Sequence, residues 1–189
     1  MSLSIEPDPH VAWKLTLVLG DDRFPGNLEL DHEDYAINGG TLDAVYTTDC
    51  WLEQLAQLSA GHGPVVLLPF NFSDQCTGWL RVTQPADGPA EVQAGWSGVD
   101  QYSLEPADLR SPQTRIRDFE PTPDGRIELP LADLIADVTV ARDVVARWAR
   151  SAEARSAAAI HAVRALLSSP PTPSEKGGPE GPPFPGELR

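Results

Sequence analysis

The chain has 189 residues, with fourteen Lys+Arg against twenty-eight Asp+Glu, a formal net charge of −14, and 41% hydrophobic residues. That apolar share suffices for the core of one ordinary domain, while the acidity removes the basic footprint that nucleic-acid phosphates require. A membrane span is excluded as well, because the longest apolar stretch, Val65–Phe70, is far short of the ~20 residues such a helix needs.

The first ten residues have neither a basic start nor an apolar segment, and two cysteines, Cys50 and Cys76, suit a reducing compartment. Both features point to the cytoplasm. Twelve arginines against two lysines, with abundant Ala and Pro, point to a bacterial genome of high GC content.

Residues 11 to 129 read mostly as strands. Val11, Trp13, Leu15, Leu17 and Leu19 alternate with Ala12, Lys14, Thr16 and Val18, the two-residue period of a strand. Asp21–Gly26 carries turn chemistry, and a short alternation at Leu28 and Leu30 follows. Next comes a helix, with Asp49 as its N-cap, Trp51, Leu52, Leu55 and Leu58 at helical spacing, and Gly61 just past its end. Pro64–Phe70 is a continuous apolar run, as in a strand covered on both faces. Gly78–Thr83 and Ala90–Trp96 flank Gln84–Pro89, where Asp87-Gly88 predicts a hairpin turn. Shorter strands are expected at 101–104, 115–119 and 126–129.

A second helical region begins at Leu131, with Leu134, Ile135, Val138, Ala141, Val145 and Trp148 on one stripe. Unbroken, residues 131–168 would run roughly 57 Å, beyond the ~40 Å diameter of a compact body of this size. A break near Ser151 is therefore expected. The alternative is a protruding, Ala-rich helix bearing Ile160, Val163 and Leu167 that joins two copies of the chain. From Ser169 to Arg189, seven prolines and four glycines leave little to bury, so a disordered tail is expected after a single 1–168 domain.

Charge is distributed unevenly along the chain. Up to Leu109 there are three bases against seventeen acids, and from Arg110 onward eleven of each. The whole excess thus belongs to the strand-rich part, where Glu29, Asp31, Glu33 and Asp34 form the densest group, with Asp21, Asp22 and Asp43 nearby in sequence. Such a field raises encounter rates with basic partners; it also serves simple solubility. Trp79 and Trp96, with Tyr102, lie on neighbouring strands and form either an aromatic platform rimmed by these acids or part of the core.

Catalytic templates fail one after another. Neither lysine follows a phosphate-loop glycine pair, and Gly95-Trp96-Ser97-Gly98 departs from a nucleophile elbow because position 99 is Val99. His32-Glu33 lacks the second histidine of a zinc motif, since Ala36 stands there, and the four histidines are dispersed. Asn38-Gly39-Gly40, after an acidic and aromatic stretch, resembles over three to six residues a turn of an immunity-protein family that protects bacteria from their own secreted toxins. Strands precede it here where that family has helices, and no membership is read from it.

The expected fold is α+β: a mostly antiparallel sheet of five to seven strands, one inserted helix, and C-terminal helices packed on one face. The expected role is a non-catalytic, acidic protein-binding module of the immunity or inhibitor kind. It docks a basic protein partner through Asp21, Asp22, Glu29, Asp31, Glu33, Asp34, Trp79 and Trp96, with no cofactor, metal or catalytic set. Two alternatives stand beside it: a small hydrolase or metal-dependent enzyme using Asp74, Cys50 or His62, and a homo-oligomeric structural protein built through the Ala-rich helix.

Overall fold

The computed structural model describes residues 1–11, 14–28 and 41–168, with side chains left out at 41, 42, 152, 153 and 155–168. The tail 169–189, Trp13 and the acidic stretch 29–40, including Asn38–Gly40, lie outside the described residues. Met1–Arg155 forms one compact unit and Ser156–Arg189 a second.

Seven strands make one sheet in chain order: β1 (Leu3–Pro7), β2 (Lys14–Leu19), β3 (Asp22–Asn27), β4 (Val65–Phe72), β5 (Thr77–Thr83), β6 (Ala90–Ser97) and β7 (Glu120–Leu129). Every neighbouring pair is antiparallel except β3 and β4, which meet in parallel at Asn27 and Asn71. A parallel pair needs a crossover, and helix α1 (Thr41–Ser59) lies within it. Helix α2 (Leu131–Ser168) follows β7. The architecture is therefore α+β, with one inserted and one C-terminal helix. No helix among the described residues is long and apolar enough to cross a membrane.

Registered partners share a face of a sheet, so the register defines one continuous apolar surface. Leu3 opposes Leu19, Ile5 opposes Leu17, and Leu17 opposes Phe24. Further along, Leu68, Leu80 and Ala94 form one row and Val66, Val82, Val92 and Ile127 the next. Phe70 joins the two halves, with ring centroids 6.0 Å from Phe24 and 5.9 Å from Trp96. The sheet curls until β7 touches the β2–β3 hairpin: the Gly125 N–H donates to Asp22 Oδ2 at 2.9 Å. At that contact Gly125 has φ +82°, and a Cβ there would overlap the Phe24 ring and stand 3.1 Å from the Ala94 Cβ. Only glycine suits both demands.

Prolines explain several local features. Pro69 lies inside β4, where it has no N–H for the ladder, and the register shifts between Pro69 and Asn71. Its carbonyl instead accepts the Trp51 indole N–H at 3.0 Å, which seats α1 on β4. Pro121 and Pro123 fall on β7, an edge strand.

Helix α1 buries Ala44, Thr47, Thr48, Trp51, Leu55 and Leu58, the three-and-four spacing of one helical face. It ends in a Schellman motif: the Gly61 N–H reaches Leu58 O and the His62 N–H reaches Gln57 O, each at 3.0 Å, with Gly61 at φ +76°. The helix begins at Thr41, not beside Asp49, which sits in mid-helix. Thr48 Oγ1 donates back to the Ala44 carbonyl at 2.9 Å, so a residue that favours turns is accommodated within the helix.

Three other expectations are corrected. Residues 21–26 are not all turn: Gly20 and Asp21 make the turn, and Asp22–Asn27 is strand β3. Residues 101–104 and 115–119 form no strands; 3-10 turns occupy 101–103, 106–110 and 112–114. The break at Ser151 is absent, and α2 runs on through it. Nothing between Trp148 and Ile160 is Gly or Pro, alanine is frequent, and Ser151 Oγ donates to Arg147 O at 3.0 Å within the helix. The side chains of Ile160, Val163 and Leu167 lie outside the described residues.

Candidate functional site

Of the predicted partner-binding residues, Asp21, Asp22, Trp79 and Trp96 are described, and these four do not share one patch. Asp21 is exposed in the β2–β3 turn, and Asp22 beside it holds the Gly125 amide. Both line a cleft of about 450 Å³ with Met1, Ser2, Leu19, Gly20, Arg126 and Ile127. Glu29, Asp31, Glu33 and Asp34 lie outside the described residues. Trp79 is wholly buried; its indole N–H donates to Thr77 Oγ1 at 2.6 Å, so it is core and offers no surface to a partner. Trp96 is half-buried and belongs to a different cleft.

Among the described residues, the separation of charge along the chain is not a separation in space. Arg110 reaches Glu53 at 3.5 Å, Arg126 reaches Glu91 at 2.9 Å, and Arg142 reaches Asp49 at 2.8 Å. Arg115 stands 4.0 Å from Asp108. In each case an arginine from the later part of the chain meets an acid from the earlier part. Within the earlier part, Arg23 pairs with Glu6.

One end of the sheet differs. The β4–β5 turn, the exit of β6 and the entry of β7 converge there, tied by Gln101 N–H to Ser73 O at 2.9 Å and Thr77 Oγ1 to Val99 O at 3.0 Å. Cys76, Trp96, Ser97, Gly98, Asp118 and Glu120 line a cleft of about 300 Å³. Asp74 and Asp100 stand next in sequence to the tied pair Ser73 and Gln101. Among the described residues, no salt bridge engages Asp74, Asp100, Asp118 or Glu120. Arg117, exposed, is the base adjacent to them in sequence.

Local hydrogen bonds hold this end rigid. Asp118 accepts from Ser97 Oγ at 2.6 Å and from the Gly98 N–H at 2.7 Å, a clasp between the end of β6 and the start of β7. Those two donors, the Ser97 hydroxyl foremost, hold the Asp118 carboxyl below its ordinary range. Asp100 accepts from Ser103 N–H and Oγ at 2.9 and 2.8 Å. The cleft floor is aromatic, since Trp96 lies edge-on to the buried Phe70.

Neither Ser97 nor Cys50 is placed to act as a nucleophile. Ser97 is 3% exposed, gives its hydrogen to Asp118, and accepts from the Val99 N–H at 3.2 Å, so its oxygen has no open approach. Cys50, which a helix start at Asp49 would have placed in the first turn, is in mid-helix and 1% exposed. Burial, above all, pushes its thiol pKa up. His62 precedes β4 and Asp74 follows it, so these two stand at opposite ends of an eight-residue strand, roughly 25 Å apart. The three residues named for a hydrolase are not brought together. Among the described residues, no group of three His, Cys, Asp or Glu converges on a common point for a metal.

Sequence reading singled out Trp96 and, for other reasons, Ser97 and Asp74, but missed Asp118 and Glu120. The register pair Trp96–Glu120 is what unites them, and it requires knowing that β6 and β7 are neighbours. No protein-family model, curated protein or solved structure matches the chain.

Proposed function

We propose that the chain is a non-catalytic binding module that docks a basic protein partner, in the manner of an immunity or inhibitor protein. The observation that supports this reading is the pair Asp118 and Glu120 on one cleft with the half-buried Trp96, with Asp74 and Asp100 next in sequence to the residues tied at that end of the sheet; no ion pair engages any of the four among the described residues. Carboxylates beside an aromatic face suit an arginine or lysine side chain, through charge pairing and a cation–π contact together. The hydrogen bonds that fix Asp118 and Asp100 lower the ordering cost of docking. Asp21 and Asp22 are not part of this group; they lie with Gly125, five residues along β7 from Glu120, roughly 16 Å of extended strand.

The test uses Asp74→Lys/Glu120→Lys, since neither side chain takes part in the hydrogen bonds that shape the cleft. The wild-type chain and this variant are used to capture proteins from a lysate of the producing cells at low and high salt. A basic protein retained by the wild type at low salt, released at high salt and not retained by the variant is the expected result. Equal capture by both chains refutes the reading, as does the absence of any salt-sensitive partner in repeated trials.

A further inference from the structure

Strand β1 ends the sheet, and an end strand offers its outward backbone groups to any other strand. Which groups face outward follows from the ladder. The Asp8 N–H donates to Lys14 O and the Gly20 N–H to Ser2 O, each at 2.9 Å, so the even-numbered residues of β1 bond to β2. Leu3, Ile5 and Pro7 therefore turn their backbone groups away from the sheet.

Of these three outward positions, two have no amide to offer a second strand. The Leu3 N–H donates to Asp137 Oδ2 of α2 at 2.9 Å. Pro7 has no N–H to give. Just past the strand, the Asp8 carbonyl accepts the Trp148 indole N–H at 3.0 Å. Ile5 keeps the one outward amide of β1 without a partner among the described residues. The helix also keeps pace with the strand: Asp137 to Trp148 rises about 16 Å, and Leu3 to Asp8 spans about 16 Å. Buried Leu134, Val138, Ala141 and Val145 hold α2 down, and Arg142 ties it to Asp49 of α1.

We propose that α2 is an edge guard, a strap that keeps β1 from pairing with β1 of a second copy of this chain. The bond count shows what it withholds. A two-fold antiparallel pairing centred on Ile5 gives two bonds between the Ile5 residues and one from each Leu3 N–H to the opposing Pro7 carbonyl. With the Leu3 amides held by Asp137, half of those four bonds are lost, and a two-bond edge contact is too weak to persist in water. Asp137 thus acts as an occupant of the edge that a second strand would otherwise take.

The test uses the full chain carrying Asp137→Ala and Trp148→Phe. Hydrogen exchange at Leu3 should accelerate about tenfold or more, the loss expected for one charge-assisted bond. Sedimentation should show a species of doubled mass, relative to the wild type, growing with concentration. Adding Ser4→Glu, which sets a carboxylate opposite Glu6 of the second copy in that register, should restore the wild-type mass. Faster exchange at Leu3 with no change of mass at any concentration overturns the proposal, as does a doubled mass indifferent to Ser4→Glu. Should the double variant lose its fold, Asp137→Ala alone is subjected to the same two measurements, and they decide in the same way.

Discussion

The contact between Gly125 and Phe24 makes a sharp stability prediction because a control is built into the same chain. Gly125 and Gly61 have similar positive φ values, +82° and +76°. Alanine at either position therefore meets the same backbone penalty, about 1–2 kcal/mol. Their surroundings differ. A Cβ at Gly61 meets nothing within 4 Å, whereas at Gly125 it overlaps the Phe24 ring and stands 3.1 Å from the Ala94 Cβ. Overpacking of that kind adds about 1–3 kcal/mol, so Gly125→Ala should cost about 2–5 kcal/mol in total and Gly61→Ala no more than about 2.

Urea unfolding monitored by tryptophan fluorescence reads both costs, and an unchanged slope would show that the denatured state is unaffected. The mechanism is checked by adding Phe24→Leu, which shortens the offending ring at the expense of its contact with Phe70. In the double variant the two costs should fall short of their sum by about 1 kcal/mol or more, since the lost ring relieves the overlap. Equal midpoint shifts for Gly125→Ala and Gly61→Ala would refute the reasoning. So would strict additivity with Phe24→Leu. In either case β7 would not press on the β2–β3 hairpin as described.

Three further outcomes follow from named contacts. Asp118 has a folded-state pKa below its ordinary value near 3.8, so the stability it contributes is full above that value and is lost as pH falls through the depressed one. Asp118→Asn should flatten the acid limb of a stability–pH curve, by no more than about 1 kcal/mol because the carboxylate is largely exposed; an unaltered limb counts against the clasp. Thr77→Val should cost about 1–3 kcal/mol by leaving the buried Trp79 indole N–H without an acceptor, and Trp79→Phe in the same chain should recover part of that loss in denaturant melts. Arg142→Ala should cost at most about 1 kcal/mol, and the cost should shrink in high salt, since its pair with Asp49 is partly exposed.

Much of the fold was legible where local pattern and tertiary demand agree. The β5–β6 hairpin could be read from alternation and from Asp87-Gly88, and the end of α1 from Gly61. Strand β3 was hidden because Asp22-Arg-Phe-Pro-Gly-Asn27 has the composition of a turn. Its Pro25 is tolerated because β3 bonds to β4 only at Asn27, leaving the outer side of Pro25 without a ladder to break. Gly26 is likewise no turn residue; a Cβ there would overlap Leu15 and approach the Phe70 carbonyl at 2.8 Å. The first half of α1 was hidden because Thr41, Thr47 and Thr48 lower helix propensity, and packing of Ala44, Thr48 and Trp51 overrides that preference. Strand β1 escaped notice because two prolines lie in its last turn region, Pro7 and Pro9, although its Leu3 and Ile5 carry the alternation. The site was half legible: Trp96 stands out as an aromatic, but Glu120 becomes its neighbour only through a register fixed 24 residues later in the chain.

The fate of the acidic excess shows why order along the chain is a poor guide to charge in space. An antiparallel sheet places late residues beside early ones by construction, so Arg126 on β7 falls opposite Gln93 and within reach of Glu91 on β6. The same holds for helices folded back on the body, where Arg142 of α2 finds Asp49 of α1. Acids such as Glu91 and Asp49, within registered or packed elements, are thus met by arginines from later in the chain. Acids at the end of the sheet have fewer such neighbours, because turns there project beyond the ladders. Asp74, Asp100 and Asp118 occupy such positions, and Glu120 is the first residue of its strand. Among the described residues, the acids left without an arginine therefore stand where the topology runs out of ladder, at the strand ends near Trp96.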